Sequence, residues 1–162
     1  FNQDLSWNVS KVTNMAFMFG HCYLFDGNIR TWNVSSVTNM KKMFQGDASF
    51  NQDLSDWIVS DVSNMVGMFD NCTEFDGNIS DWDVGKVTDM DRMFLNCHKF
   101  NRPLSWNVSQ VTNMGMMFSN IRIASDPGPI GSERKNGQKK LSEKPSPDTK
   151  TSKSTGLIQV LM

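Results

Sequence analysis

The chain has few of the residues that most often carry chemistry or cross-link a fold. Its 162 residues include three cysteines, two histidines and one tyrosine. An odd number of cysteines argues against a complete disulfide framework. No stretch approaches the ~20 apolar residues of a membrane-spanning helix, and no charged and apolar leader opens the sequence. These shortages exclude a disulfide-rich scaffold and a membrane-spanning helix from this sequence.

The polar residues are also placed poorly for catalysis or for holding a cofactor. The histidines lie in variable positions, His21 beside Cys22 and His98 beside Cys97, whereas a zinc site needs ligands that converge. Glycine never clusters as a phosphate-binding loop requires, and there is no Ser-His-Asp order or pair of acids in an apolar segment. We therefore predict a protein that is not an enzyme and has no cofactor or metal site.

The sequence instead contains one pattern of about 25 residues, written five times. Each unit starts at a phenylalanine, has a tryptophan six or seven residues later and carries a Met-Phe pair near its end. A period of this length is typical of solenoids, in which stacked coils bury together what one coil cannot bury alone. We predict a repeat solenoid of five coils over residues 1–121. Because neither end has an atypical capping unit, we interpret the sequence as a fragment truncated at both ends.

The apolar positions of the repeat predict a continuous core. The same set of positions, including the Met-Phe pair, is apolar in every unit, and stacking would place each of them in a column along the molecule. The predicted core residues of the Phe, Trp and Met columns are Phe1, Trp7, Met15, Phe25, Trp32, Met40, Phe50, Trp57, Met65, Phe75, Trp82, Met90, Phe100, Trp106 and Met114. We interpret these aromatic and methionine columns as core rather than as recognition boxes.

Local patterns within a unit predict short elements. The segment between Phe and Trp alternates loosely between apolar and polar residues, as a short half-buried strand does. The Val-Thr-Asn-Met-x-x-Met-Phe segment has apolar residues at i, i+3, i+6 and i+7, which predicts a turn and then a short helical or 3₁₀ stretch. The Asn14 column is expected to bond the backbone of the next coil, and Gly27 and Gly77 are expected at turns that need a positive φ.

Two columns leave alternatives open. Cys22, Cys72 and Cys97 share one position, where the other units have Asp47 and Ile121; a buried thiol filler is the plainer interpretation, and a Cys72–Cys97 disulfide is the alternative. The column of Asp4, Asn28, Asp53 and Asn78 could collect calcium, but Pro103 interrupts it and solvation of an edge is favoured. Five Asn-x-Ser/Thr sequons follow mostly from the repeat itself: Asn8, Asn33, Asn71, Asn78 and Asn107.

The charges divide the chain near Ile121. Residues 1–121 hold eight Lys and Arg against thirteen Asp and Glu, a net charge of −5, whereas residues 122–162 hold eight against four, a net of +4. The second segment is rich in Ser, Pro, Gly, Lys and Thr, which predicts a disordered basic tail. Its run of Arg134, Lys135, Lys139 and Lys140 is interpreted as a solvated linker rather than a site for nucleic acid or anionic lipid.

The string Phe-Asn-Gln-Asp-Leu-Ser-x-Trp-x-Val-Ser-x-Val-Thr-Asn-Met-x-x-Met-Phe, read across residues 1–19 and 50–69, resembles the BspA-like leucine-rich repeat family of surface proteins in its mycoplasma-type variant. The resemblance covers about three quarters of the chain and ends before the tail. It implies a leucine-rich-repeat-like, right-handed β-solenoid on a secreted or surface-anchored protein, often a lipoprotein, used for adhesion or protein recognition. The family has no known catalytic site.

The function expected from these observations is a non-enzymatic, extracellular or cell-surface module for protein recognition or adhesion. Its partner is expected to be a host or matrix protein, with no nucleic acid and with a membrane contact only through an anchor outside this sequence. The candidate contact face consists of Gln3, Asp4, Arg30, Gln52, Asp53, Asp56 and Asp81. The alternatives are an inert structural spacer and, more remotely, an ice-binding surface built on the aligned residues Thr13, Thr38, Ser63, Thr88 and Thr112.

Overall fold

The computed structural model describes residues 1–121 and the two-residue strand Leu157–Ile158. Two strands are assigned in this part of the chain, β1 at Trp106–Asn107 and β2 at Leu157–Ile158. They pair antiparallel, with Trp106 opposite Ile158 and Asn107 opposite Leu157. The predicted disorder of the segment 122–162 otherwise lies outside the described residues.

Successive repeat units lie side by side and are joined through the backbone. Isolated parallel bridges connect the asparagine column in the order Asn14, Asn39, Asn64, Asp89 and Asn113. Each bridge continues into a ladder: the N–H groups of Met15, Phe17 and Phe19 donate to carbonyls of the second unit at 2.9, 3.0 and 2.8 Å. The same bonds recur between the later units, so one pattern of contacts joins all five.

The predicted helical stretch after the asparagine column is not formed. Within residues 1–121 no helix is assigned, and the segment is a series of turns in which Met18, Gly20 and Cys22 donate to the carbonyls three residues earlier. Two positions in each unit have a positive φ, for example Phe17 at 61° and His21 at 63°. A residue in the left-handed region every fourth position interrupts a right-handed helix. This backbone conformation, rather than the apolar spacing, decides the local structure.

The segments between Phe and Trp are not regular strands at residues 1–105, contrary to the prediction. Their neighbouring units are joined by side chains that replace backbone acceptors. The N–H of Asp26 donates to Asn2 Oδ1 at 2.8 Å, and the N–H of Asn51 donates to Asp26 Oδ1 at 2.9 Å. Asp76 and Asn101 continue the series at 2.8 and 3.0 Å. The short Asn and Asp side chains therefore do here what a strand's carbonyls would do.

The core follows the predicted columns. The rings of Phe25, Phe50, Phe75 and Phe100 stack at centroid distances of 6.1, 5.9 and 5.8 Å. The buried members of the predicted core are Met15, Phe25, Trp32, Met40, Phe50, Trp57, Met65, Phe75, Trp82, Met90, Phe100 and Trp106. Burial of twelve such side chains is the main stabilising contribution to packing between units.

Three predicted core residues are less buried. Phe1 and Trp7 are 65% and 53% exposed, because within the described residues only the second unit packs against them. Met114 is half-buried against the core in the last unit. The prediction of a core position is therefore wrong for Phe1 and Trp7, while their rings still stack on Phe25 and Trp32 at 5.6 and 5.9 Å.

Gly27 and Gly77 are required for a reason other than the one predicted. Neither has a positive φ; among the described glycines only Gly46 and Gly67 do. A Cβ atom on Gly27 would lie 2.1 Å from the carbonyl oxygen of Gln3, and a Cβ on Gly77 would lie 2.1 Å from that of Gln52. These glycines allow the backbones of adjacent units to approach closely.

Candidate interaction face

The structure brings three of the predicted contact residues together across two units. Arg30 Nε donates to Asp56 Oδ2 at 2.6 Å, Nη2 donates to Asp56 Oδ1 at 3.2 Å, and Nη1 donates to Asp53 Oδ2 at 3.2 Å. The bond from Arg30 lowers the pKa of Asp56. The pKa of Asp53 is also lowered, first by the N–H of Ser55. These charges partly satisfy one another at the surface.

The other predicted contact residues divide between internal and exposed roles. Gln52 Nε2 donates to the carbonyl and to Oδ1 of Asp26, both at 2.8 Å, and Asp4 Oδ1 accepts the N–H of Asn28 at 2.8 Å. Gln3 and Asp81 are exposed. Part of the predicted face therefore also takes part in hydrogen bonds within the chain, at Gln52, Asp4 and Asp53.

The side-chain oxygens that could bind calcium in the Asp4 column already accept hydrogen bonds from the backbone. In the Asp4 column, Asn28, Asp53 and Asn78 each accept a backbone N–H two residues later, at 2.9–3.1 Å. Residues 1–121 contain no group of three His, Cys, Asp or Glu side chains arranged to hold a metal ion. The Asn14 column behaves similarly: Asn14 Oδ1 accepts the N–H of Ala16 at 2.9 Å, in its own unit rather than in the next one.

The exposed surface with the most varied chemistry is formed by the residues directly before and directly after each tryptophan. All ten such positions are exposed, and together they form what we name the Trp-flanking strip: Ser6, Asn8, Thr31, Asn33, Asp56, Ile58, Asp81, Asp83, Ser105 and Asn107. The prediction included Asp56 and Asp81 but missed the others, although their alternation with Trp in the sequence was a usable signal.

The centre of the Trp-flanking strip combines one apolar side chain with acids. Ile58 is 62% exposed, and the third and fourth units also contribute the exposed acids Asp56, Asp81 and Asp83 to the strip. Asp83 Oδ1 accepts the N–H of Gly85 at 3.0 Å, which fixes its side chain. An exposed branched apolar residue among carboxylates suits a partner that presents both apolar and basic groups.

The cysteine column is internal. Cys72 Sγ donates to the carbonyl of Phe44 and Cys97 Sγ to that of Phe69, both at 2.9 Å. Both thiols are free and fully buried, and burial raises the pKa of each. Cys22 is half-buried, and its pKa is also raised by burial and by Asp47. The interpretation as fillers therefore agrees with the geometry, and Cys72 and Cys97 are not paired in this structure.

The aligned hydroxyl row takes part in the packing between units. The side-chain oxygens of Thr38, Ser63, Thr88 and Thr112 donate to carbonyls of the preceding unit at 3.1–3.3 Å. The sequon residues Asn8, Asn33 and Asn107 are exposed, with each Oδ1 accepting the N–H two residues later. Both rows are thus ordered by backbone contacts.

A shallow cleft of about 290 Å³ opens at the first unit. It is lined by Phe1, His21, Cys22, Tyr23 and Leu24. None of the predicted contact residues lines it, and the Tyr23 hydroxyl lies 3.5 Å from His21 Nδ1. The cleft therefore forms a surface separate from the Trp-flanking strip.

Nowhere in residues 1–121 or in β2 is there a helix long and apolar enough to cross a membrane.

Comparison with known proteins identifies one family. No curated protein and no solved structure matches the chain. Residues 1–105 and 57–127 match a family described as Mycoplasma protein of unknown function, DUF285, so that all five repeat units are included. The chain belongs to the DUF285 family.

Proposed function

We propose that this chain is a non-enzymatic recognition module of a cell-surface or secreted protein, which binds other proteins through the Trp-flanking strip. We further propose that its architecture is a leucine-rich-repeat-like β-solenoid of the BspA-like type. The parallel bridges along the asparagine column and the stacked aromatic columns support this architecture. In such an arrangement an extended surface, rather than a pocket, is available for binding.

One observation carries the proposal: the buried columns repeat while the exposed strip varies. The tryptophans of the last four units are buried, and each indole N–H donates to a carbonyl of the preceding unit at 2.7–3.2 Å. The residue before each Trp changes from Ser6 to Thr31, Asp56, Asp81 and Ser105. A constant scaffold with variable exposed side chains is what a recognition surface needs, because specificity can change without a cost in packing.

The expected partner is a protein with a basic and partly apolar surface. Ile58 supplies the apolar contact, and Asp81 and Asp83 supply negative charge around it. Arg30 already pairs with Asp56, so this carboxylate is held in one orientation and less of its side-chain entropy remains to be lost on binding. Acidic side chains at the rim favour fast association with a basic partner, and this effect weakens as salt increases.

Binding to a panel of immobilised, purified extracellular-matrix proteins, measured by surface plasmon resonance, tests the proposal. The strip variant carries Asp56→Asn, Ile58→Thr, Asp81→Asn and Asp83→Asn, which are side chains that suit an exposed position and keep the bond to Gly85. The control carries Asp61→Asn, Glu74→Gln and Asp91→Asn, with the same loss of three negative charges outside the strip. We expect at least tenfold weaker binding by the strip variant and less than a twofold change in the control.

Three other outcomes would contradict the proposal. If the strip variant binds as well as the original chain, the strip is not the recognition surface. If no protein of the panel binds the original chain at any salt concentration, the result favours the alternative function, an inert structural spacer. Thermal hysteresis of the purified chain would instead favour ice binding by the row of Thr38, Ser63, Thr88 and Thr112.

A further inference from the structure

Asp47 occupies a position that is a cysteine in three of the five units. Its side chain is fully buried, and neither Oδ1 nor Oδ2 has a hydrogen-bond partner in the part of the chain that the structure describes. An unpaired buried carboxylate is costly in free energy, because it loses its hydration without a replacement. A buried acid of this kind therefore calls for a physical explanation.

The neighbouring units provide that explanation. Cys72 and Cys97 each donate their S–H to the carbonyl oxygen 28 residues earlier, that of Phe44 and that of Phe69. The same offset from Asp47 leads to the carbonyl of Phe19, which already accepts the N–H of Cys22 at 3.0 Å. The equivalent carbonyl of Phe44 accepts the N–H of Asp47 in the same way. By the offset seen for Cys72 and Cys97, the acceptor that corresponds to position 47 is the carbonyl oxygen of Phe19.

An ionised carboxylate can only accept hydrogen bonds, whereas a protonated one carries an O–H donor. We propose that Asp47 is held in the folded chain as a neutral carboxylic acid whose O–H takes the place of a thiol and donates to the carbonyl of Phe19. Loss of this proton leaves a buried charge in the core between the first and third units and loosens their packing. The chain then contains a joint whose stability depends on pH.

The groups that face Asp47 agree with this proposal. The thiols of Cys22 in the first unit and Cys72 in the third flank it, and Asp26 adds a like charge. None of the ion pairs formed within residues 1–121 includes Asp47. Burial raises the pKa of Asp47 to about 7, against the opposing effect of the nearby N–H groups of Ser49, Phe25 and Phe50.

The sign of the pH dependence follows from these two states. In the unfolded chain Asp47 titrates near its ordinary pKa of about 3.9, so between about pH 4 and 7 the folded state holds one more proton than the unfolded state. Stability therefore falls as the pH rises through this window and becomes constant above it. The unfolding equilibrium constant is expected to increase by up to about tenfold per pH unit from this group alone.

Urea unfolding of the full chain at pH 5, 6, 7 and 8 tests the proposal. Asp47→Cys restores the residue of the other units and should flatten the pH dependence while raising the midpoint at pH 8. The control is Asp70→Asn, because Asp70 is a buried acid that accepts bonds from Gln45 Nε2 and Asn71 Nδ2 at 3.0 and 2.6 Å. That variant should keep the slope of the original chain.

A direct titration of the original chain keeps the proposal testable if a variant fails to fold. The carboxyl carbon of Asp47, followed by NMR, should titrate near pH 7. Titration near pH 4, or an Asp47→Cys variant with the same slope as the original chain, would overturn the proposal.

Discussion

The indole N–H of Trp82 donates to the carbonyl oxygen of Leu54 at 3.0 Å, one unit earlier in the chain. The same carbonyl accepts the backbone N–H of Trp57 within its own unit at 3.0 Å. One oxygen thus receives a bond from each of two adjacent units. The tryptophan column therefore contributes both apolar burial and a directed hydrogen bond to the packing between units.

Replacing Trp82 by Phe should lower the free energy of unfolding by about 1–3 kcal/mol. The change removes one hydrogen bond and leaves a small cavity beside Trp57 and Trp106, whose rings lie 6.4 and 6.3 Å away. Urea denaturation measures the loss. Trp7→Phe is the matched control and should change stability by less than about 0.5 kcal/mol, because that ring is 53% exposed. Equal losses in the two variants would contradict the role of the bond.

Gly77→Ala should destabilise the chain by at least about 2 kcal/mol. The new Cβ would lie 2.1 Å from the carbonyl oxygen of Gln52, and both atoms belong to packed backbone that cannot move aside cheaply. Gly85→Ala serves as the control, since its Cβ would meet only the side-chain oxygen of Asp83 at 3.1 Å. Thermal denaturation should show a large fall in Tm for the first variant and a small one for the second.

Arg92→Gly should raise the free energy of unfolding by up to about 1 kcal/mol. Arg92 has a φ of 56°, in the region where a side chain is unfavourable, and the same column already has a glycine, Gly67, at 57°. Its only ion pair, with Asp91 at 3.6 Å within the described residues, is exposed and contributes little. Lys11→Gly, at an exposed position without a positive φ, should instead lower stability. A loss for Arg92→Gly would show that the left-handed conformation is not strained.

Thiol labelling should separate the three cysteines of the folded chain. N-ethylmaleimide is expected to modify Cys22 alone. Cys72 and Cys97 are fully buried, their S–H groups donate to carbonyls, and burial raises the pKa of both thiols. Intact-mass measurement should give one adduct for the folded chain and three after denaturation. In Cys22→Ser the folded chain should give none. Labelling of Cys72 as fast as Cys22 would contradict the buried column.

The core was predictable because the residues that form it repeat. Phe25, Trp32 and Met40 recur at a fixed period, and burial of a column depends mainly on residue type. The turns were not predictable, because Phe17, Lys42 and Met116 share a positive φ but no property of their side chains. In the first two units the N–H groups of Phe17 and Lys42 donate to carbonyls of the next unit at 3.0 and 2.8 Å, a contact that a single segment of sequence does not reveal.

The candidate site was predicted in part for a related reason. Exposed acids such as Asp56 and Asp81 were identified from their place between Phe and Trp, but the inward bonds of Gln52 to Asp26 depend on a residue 26 positions away. Asp47 stood out in the sequence only as an exception in the cysteine column. Its importance became visible when burial and the absence of a partner among the described residues were known.

The close approach of Gln52 to Gly77 also restricts how such a chain could lengthen during evolution. The units are of two kinds: the second and fourth contain Gly27 and Gly77, whose lack of a Cβ lets the preceding unit approach closely. The third and fifth units contribute a long polar side chain instead, Gln52 Nε2 to the Asp26 carbonyl at 2.8 Å and Arg102 Nε to that of Asp76 at 2.9 Å. The two kinds of unit are thus complementary neighbours. An insertion or deletion of two units, about 50 residues, preserves every such contact, whereas a change by one unit places two units of the same kind side by side.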